Sequence, residues 1–211
     1  GRTDAGVHAH GQVAHADLPE SFASRPAHTW VEGLNRFLPA TIRCTAAAAV
    51  PLTFHARHSA QARHYLYRLW VGRQLRPDLL HHAGHAAPLF GTALNVAAMQ
   101  QALASLPVGV ATDFSSLRDA ECQSKTPLCT LTHARLVQAE ADLLELHLGA
   151  DHFLHHMVRN LVGTLVQVGL NDRAPDLAPL LAAQDRRQAG PTFAPDGLYL
   201  THVVYPTLTA A

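Results

Sequence analysis

The sequence predicts an α+β protein with a mainly antiparallel sheet and helices packed on one side of it. Residues 130–137 and 143–148 each alternate apolar and polar side chains and are close enough in the chain to pair antiparallel. Residues 153–168 carry Phe153, Leu154, Met157, Val158, Leu161, Val162 and Leu165 round most of the helical circle, which predicts a central, largely buried helix. A last strand opens at Gly197, with Leu198, Leu200, His202 and Val204 on one face and Tyr199, Thr201 and Val203 on the other.

The remaining elements follow in chain order. Residues 7–17, a run of small residues and histidines, are expected to form a strand that ends at Leu18-Pro19. Ser24-Arg25-Pro26 opens a helix with Trp30, Leu34, Phe37 and Leu38 at helical spacing, and Pro39 stops it. Residues 41–50 are expected as a further strand, and Pro51 as the point where one subdomain (1–50) gives way to the next (51–211). In the stretch 65–71, Tyr65, Tyr67, Leu69 and Val71 alternate with Leu66, Arg68 and Trp70, which makes a strong strand. Residues 72–91 are expected as a long loop. Val96, Met99, Leu103 and Leu106 mark an amphipathic helix, residues 107–123 return to loop, and a short helix is expected over 177–183.

A chain of 211 residues that is 48% apolar can bury one sizeable core or two small domains sharing a sheet, which excludes a disordered or collagen-like chain. Formal charge is zero, an argument against an overall basic nucleic-acid binder. The cations, however, are fifteen arginines and the single lysine Lys125, and arginine is suited to bidentate phosphate contacts and to stacking. Sixteen histidines add a reserve of positive charge in acid. Three cysteines without paired short spacing fit reduced thiols of a cytoplasmic protein, and no apolar run is long enough to span a membrane. The chain opens on Gly1-Arg2-Thr3-Asp4 without a methionine, so a natural segment is expected to precede it.

One loop concentrates chemistry. Gly1-Arg2-Thr3-Asp4-Ala5-Gly6-Val7-His8-Ala9 packs two glycines, a carboxylate and an arginine into a tight turn before a strand. Local chemistry leaves Asp4 open as a surface turn residue or a catalytic carboxylate. Phosphate cradling is disfavoured, since the loop lacks the lysine of a P-loop and the carboxylate repels anions.

That run resembles the signature of the tRNA pseudouridine synthase A family. Four further blocks match in order: Phe54-His55-Ala56-Arg57 leading to Ala62-Arg63-His64-Tyr65-Leu66-Tyr67; Asp113-Phe114-Ser115-Ser116 with Cys122-Gln123-Ser124-Lys125-Thr126-Pro127; Phe153-Leu154-His155-His156-Met157-Val158-Arg159-Asn160; and Gly197-Leu198-Tyr199-Leu200 with Val204-Tyr205-Pro206. The resemblance implies the pseudouridine synthase fold without the first strand and helix of its N-terminal subdomain. A strand edge left unpaired by such an absence is an aggregation liability. It also implies a tRNA-modifying isomerase acting at positions 38, 39 and 40 of the anticodon stem-loop, a homodimer, and no cofactor or metal.

Carried over residue by residue, the resemblance makes Asp4 the nucleophile and Arg159 its guanidinium partner. A guanidinium within about 4–6 Å keeps a buried carboxylate ionised, whereas burial alone neutralises it. Tyr65 becomes the aromatic that stacks on a flipped uracil, and Leu198 packs against it. Arg2 is matched to an arginine that displaces the target base. Arg57, Arg63, Arg68, Arg118 and Lys125 are candidates for RNA backbone contacts. Periodicity alone reads Arg159 as directed to solvent or to a carboxylate elsewhere, Tyr65 as strand packing and the other cations as solvated surface charge. Two alternatives stand beside the enzyme: an inactive fragment that still binds RNA, and a histidine-rich metal-binding protein. For the latter, His152 with His156 and His81 with His85 stand four apart, but no His-Glu-x-x-His or Cys-x-x-Cys accompanies them.

Overall fold

The computed structural model describes residues 2–22, 24–74, 76–86 and 93–207. The chain divides into two compact units, Gly1–Gln12 with Gln61–Val204, and Val13–Ala60 with Tyr205–Ala211. These units do not coincide with a boundary at residue 50, because the aspartate loop joins the sheet and residues 51–60 stay with the preceding helix.

In the first unit the strands are β1 (His8–Ala9), β2 (Ala62–Trp70), β3 (Gly84–His85), β4 (Ala111–Asp113), β5 (Leu128–Glu140), β6 (Leu143–Ala150) and β7 (Leu198–Val204). They form one sheet in the order β1-β7-β2-β6-β5-β4, with β3 also paired to β2. The pairings are antiparallel except for β1 on β7 and β3 on β2. The 65–71 strand, the 130–137 and 143–148 hairpin and the closing strand all form as expected. Side chains alternate across a strand, so Arg63, Tyr65, Tyr67 and Leu69 share one face of β2 while His64, Leu66, Arg68 and Trp70 share the other. The first face continues through Leu144, Leu146 and Leu148 of β6 and Leu136 of β5, and packs with the helices in one core. The second face carries His64, Arg68, His133, Glu145 and His147.

Three helices cover the apolar face: α2 (Val96–Ala104), α3 (Met157–Gly169) and α4 (Ala178–Ala183). Asn95 caps α2 by accepting the Ala98 N–H. In α3, residues Met157, Val158 and Asn160–Leu165 are all buried, as the all-round apolar pattern requires. The helix starts at Met157 rather than at Phe153, because His156 stands at φ 60°, a left-handed conformation that a right-handed helix cannot include. Asn160 anchors α3 from its buried flank: its amide donates to the Leu117 carbonyl, and its oxygen accepts from Arg186 and Thr192.

Other expectations change. Of residues 7–17 only β1 is strand: the ladder stops at Ala9, where the His10 and Gly11 N–H groups share the one Leu200 carbonyl. The stretch 107–123 is not all loop: it contains β4 and a 3-10 turn at Ser115–Leu117, because β5 is long enough to accept a partner. In the 72–91 loop β3 forms, while residues 75 and 87–91 lie outside the described residues.

The second unit holds α1 (Ala27–Phe37), which starts after Pro26 as predicted. Its apolar stripe is not core: Phe37 is 90% and Leu34 49% exposed. Residues 41–50 form no strand. Instead of a neighbouring strand, the Asn35 side chain pairs both the N–H and the carbonyl of Cys44. Phe54 packs on Tyr205, whose hydroxyl donates to the Ala56 carbonyl.

Candidate active site

Asp4 begins a tight turn. The Val7 N–H donates to the Asp4 carbonyl at 3.2 Å, and Gly6, third in the turn, adopts φ 81°. A positive φ at that place alone makes the turn type II, which needs glycine there. The turn is braced by Pro195, against which a Cβ on Gly6 would press. The carboxylate of Asp4 therefore leaves a fixed backbone that enters β1 at once.

The start of α3 faces it. Arg159 Nη1 donates to Asp4 Oδ2 at 3.0 Å, while Arg159 Nε donates to the Phe193 carbonyl at 2.7 Å. The two contacts hold the guanidinium plane, and the side chains are only 14% and 27% exposed. A half-buried ion pair with a second hydrogen bond on the arginine is strongly oriented. Arg159 thus points inward to Asp4 and not to solvent.

Tyr65 lies on the helix-covered face of β2, with its ring edge-on to Phe153 at 5.1 Å between centroids. Between His64 and Tyr65 the β2/β7 register slips by one residue, a bulge that re-aims side chains at this point of the sheet. Burial, then the negative charge of Asp4, pushes the Tyr65 hydroxyl up to about 12, opposed in part by Arg63. Tyr65 is therefore neutral at physiological pH. Tyr67, two residues on, is fully buried and donates to the Ala194 carbonyl, which ties β2 to the segment behind Arg159.

Three residues that the sequence did not single out for this site complete it. His155 Nε2 is 3.6 Å from Asp4 Oδ1, and His156 Nε2 is 3.3 Å from Asp4 Oδ2. Their rings stack at 3.8 Å, and behind them lies Asp119, 2.9 Å from His156 Nδ1 and 3.6 Å from His155 Nδ1. The Glu121 N–H, then the hydrogen bond from His156, holds the Asp119 carboxyl below its usual range. The available signal was the adjacent histidine pair three residues before Arg159. Spacing instead suggested His152 with His156 and His81 with His85, and neither pair converges. His152 bonds to Asp151 and Cys129, His81 faces Asp196, and His85 stacks on Trp70.

The other predicted residues are dispersed. Arg2 is exposed, two residues before the nucleophile candidate. Arg63 shares the face of Tyr65 and donates to the Asp151 carbonyl at 2.7 Å. Leu198 is buried in the core that Tyr65 lines. Arg68 is on the opposite face, 3.6 Å from Glu145. Arg118 spends its guanidinium on the Cys122 and Ser124 carbonyls, bracing the loop that follows Asp119. Lys125 is exposed, and Arg57 belongs to the second compact unit.

A carboxylate on a rigid turn, paired to an oriented arginine and set beside a neutral aromatic ring, is equipped to attack an electrophilic carbon of a planar base or its sugar. Comparisons with known proteins bear on the family of the chain. A family model described as tRNA pseudouridine synthase matches residues 111–206. The protein named tRNA pseudouridine synthase A from Chromobacterium violaceum is 49% identical over 207 residues, 98% of this chain and 75% of the relative. Proteins of the same name from Bordetella petrii and Ralstonia nicotianae are 48% and 46% identical, with 98% of this chain and 74% and 73% of theirs covered. The chain thus spans about three quarters of each relative's length and, on identity at this level over nearly all its residues, belongs to the tRNA pseudouridine synthase family.

Proposed function

We propose that this chain isomerises uridine to pseudouridine in tRNA with Asp4 as its nucleophile, and that its targets are positions 38, 39 and 40 of the anticodon stem-loop. The observation that carries the reading is the Asp4–Arg159 pair: a carboxylate on a fixed turn, held at 3.0 Å by a guanidinium that a second hydrogen bond orients, beside the ring of Tyr65. The uridine is flipped from the stack at a cost of a few kcal/mol. Tyr65 supplies a face for the uracil, and stacking of this kind contributes about 1–3 kcal/mol per base. Asp4 then attacks C6 of the base or C1′ of the ribose. The N1–C1′ bond breaks, the uracil turns within the pocket, and C5 bonds to C1′. The C5 proton leaves, N1 gains a proton in its place and the bond to Asp4 is released, so the product is an isomer and no co-reactant is consumed.

For the RNA the reading takes Arg2, exposed beside the aspartate turn, to fill the gap left by the flipped base, and Arg63, on the Tyr65 face, to contact the phosphate backbone. Arg68 and Arg118, engaged elsewhere, are assigned to the scaffold. A homodimer whose two copies grip one tRNA completes the proposal. Tritium release from tRNA labelled at C5 of uridine tests it. The chain is expected to release label from anticodon-arm uridines, and Asp4→Ala to release none; equal release by both proteins overturns the assignment.

A further inference from the structure

The two histidines in front of α3 pose an electrostatic problem. Asp119 is an acceptor held against both Nδ1 atoms, at 2.9 Å for His156 and 3.6 Å for His155. On the other side of the rings, His156 Nε2 lies 3.3 Å from Asp4 Oδ2 and His155 Nε2 lies 3.6 Å from Asp4 Oδ1, so the imidazole pair stands between two carboxylates. Two carboxylates facing one imidazole pair call for a cation between them. His155 Nδ1, moreover, is buried without a hydrogen bond, so Asp119 does not fully settle that ring. His156 holds its place at φ 60°, a conformation a non-glycine residue keeps only when its surroundings enforce it.

We infer that Asp4, His155 and His156 form a binding site for a tetrahedral divalent metal such as Zn2+, with Asp119 as the carboxylate that orients the histidines, and that occupancy blocks the catalytic aspartate. The metric fits. Zinc with nitrogen and oxygen ligands at 2.0–2.1 Å sets neighbouring ligand atoms about 3.3–3.4 Å apart at tetrahedral angles; His155 Nε2 stands 3.6 Å from Asp4 Oδ1, and His156 Nε2 stands 3.3 Å from Oδ2 of the same carboxylate. One ligand atom from each of the three residues lies within 4.8 Å of the others. Arg159 engages Oδ2, which leaves Oδ1 to the metal. A carboxylate behind a metal-bound imidazole is the usual outer partner of such sites. The fourth position is left for water. A metal on Oδ1 occupies the space and the electron pair that attack on uridine requires. That blocking effect rests on Asp4 being the nucleophile; the binding does not.

The test titrates Zn2+ into the chelator-treated chain against a chromogenic chelator, with Co2+ as a spectroscopic probe of coordination geometry. One site per chain is expected to stand out in affinity and to show the visible bands of four-coordinate Co2+. His155→Gln and His156→Asn, the latter chosen because asparagine tolerates the left-handed backbone, remove that site. Asp119→Asn weakens it about 10–100-fold, and His152→Gln leaves it intact. Unchanged affinity in the His155→Gln, His156→Asn double variant overturns the site, placing any bound zinc on other histidines. Tritium release by the wild-type chain is expected to stop when one Zn2+ is bound and to return with chelator; full activity with the site filled overturns the blocking role. Were the metal-free chain inactive on tRNA, the nucleophile assignment and its blocking corollary would fall, while the Co2+ and chelator measurements would still decide the site.

Discussion

Asp4 and Arg159, 155 positions apart in the chain, meet at 3.0 Å, and the same guanidinium donates to the Phe193 carbonyl. The second bond matters as much as the first, because it removes the arginine's freedom to rotate away from Asp4.

Lysine at this position keeps the charge but cannot make both bonds from one planar group. Arg159→Lys is expected to lower the single-turnover rate about 10²–10³-fold, the cost typical of losing one oriented donor in an active site. Circular dichroism should be unchanged. A rate within threefold of wild type would show that charge alone suffices.

Tyr65 is held neutral, with its hydroxyl pushed up to about 12 by burial and then by Asp4. The absorbance difference between the wild type and Tyr65→Phe should therefore show no tyrosinate from this residue at pH 10. Tyr65→Leu, which removes the ring face, should weaken substrate engagement by about 1–3 kcal/mol, seen as a rise of roughly 5- to 150-fold in the half-saturating tRNA concentration. Early ionisation, near pH 10, would place the ring in water.

Gly163 lets α3 approach the chain at Gly190-Pro191 so closely that a Cβ there would collide with the Pro191 carbonyl. The obstacle is backbone and cannot rotate aside. Gly163→Ala should destabilise the protein by about 3 kcal/mol or more, measured as a fall in the urea midpoint. Activity should fall with it, since the displaced segment leads into Phe193, the partner of Arg159.

On the polar face of the sheet, His64 stacks with His133 at 5.2 Å, and both titrate below the ordinary histidine value. Burial is the main cause for each; His202 adds to it for His64, and His64 adds to it for His133. Because folding lowers these values from 6.5, the folded state disfavours their protons. The stabilisation is complete above the unfolded value and is lost as the pH falls through the folded values. Urea midpoints should therefore decline between about pH 7 and 5, and His64→Gln should flatten that decline. An equally steep decline in the variant would assign it to other groups.

Cys129 is 1% exposed, and burial followed by the Asp151 carboxylate pushes its thiol up to about 12. It should stay unmodified by an aromatic disulfide reagent at pH 8 while the half-buried Cys44 reacts. Peptide mapping distinguishes them, and all three cysteines should react in denaturant.

Strong alternation at 65–71, 130–137 and 143–148 and the all-round apolar helix after Phe153 were legible because each buries residues at its own period. The 41–50 stretch was not: its alanines carry no pattern that says whether a neighbouring strand exists, and Asn35 takes the place of one. Among the predicted site residues, Asp4, Arg159 and Tyr65 were identifiable only through the resemblance of whole motifs. Arg68 and Arg118, equally close to matched motifs, serve Glu145 and a loop's carbonyls instead.

What the sequence by itself determined is the α+β class, the family and the short list of chemistry-bearing residues, since these reside in local period and in ordered motifs. Tertiary structure alone decided which of them meet. The turn at Gly6, the left-handed His156 and the packing of α3 on the sheet bring Asp4, Asp119, His155, His156 and Arg159 together from three distant stretches of chain. Ion pairing depends on distances of a few ångströms in space, and those distances have no expression in sequence spacing.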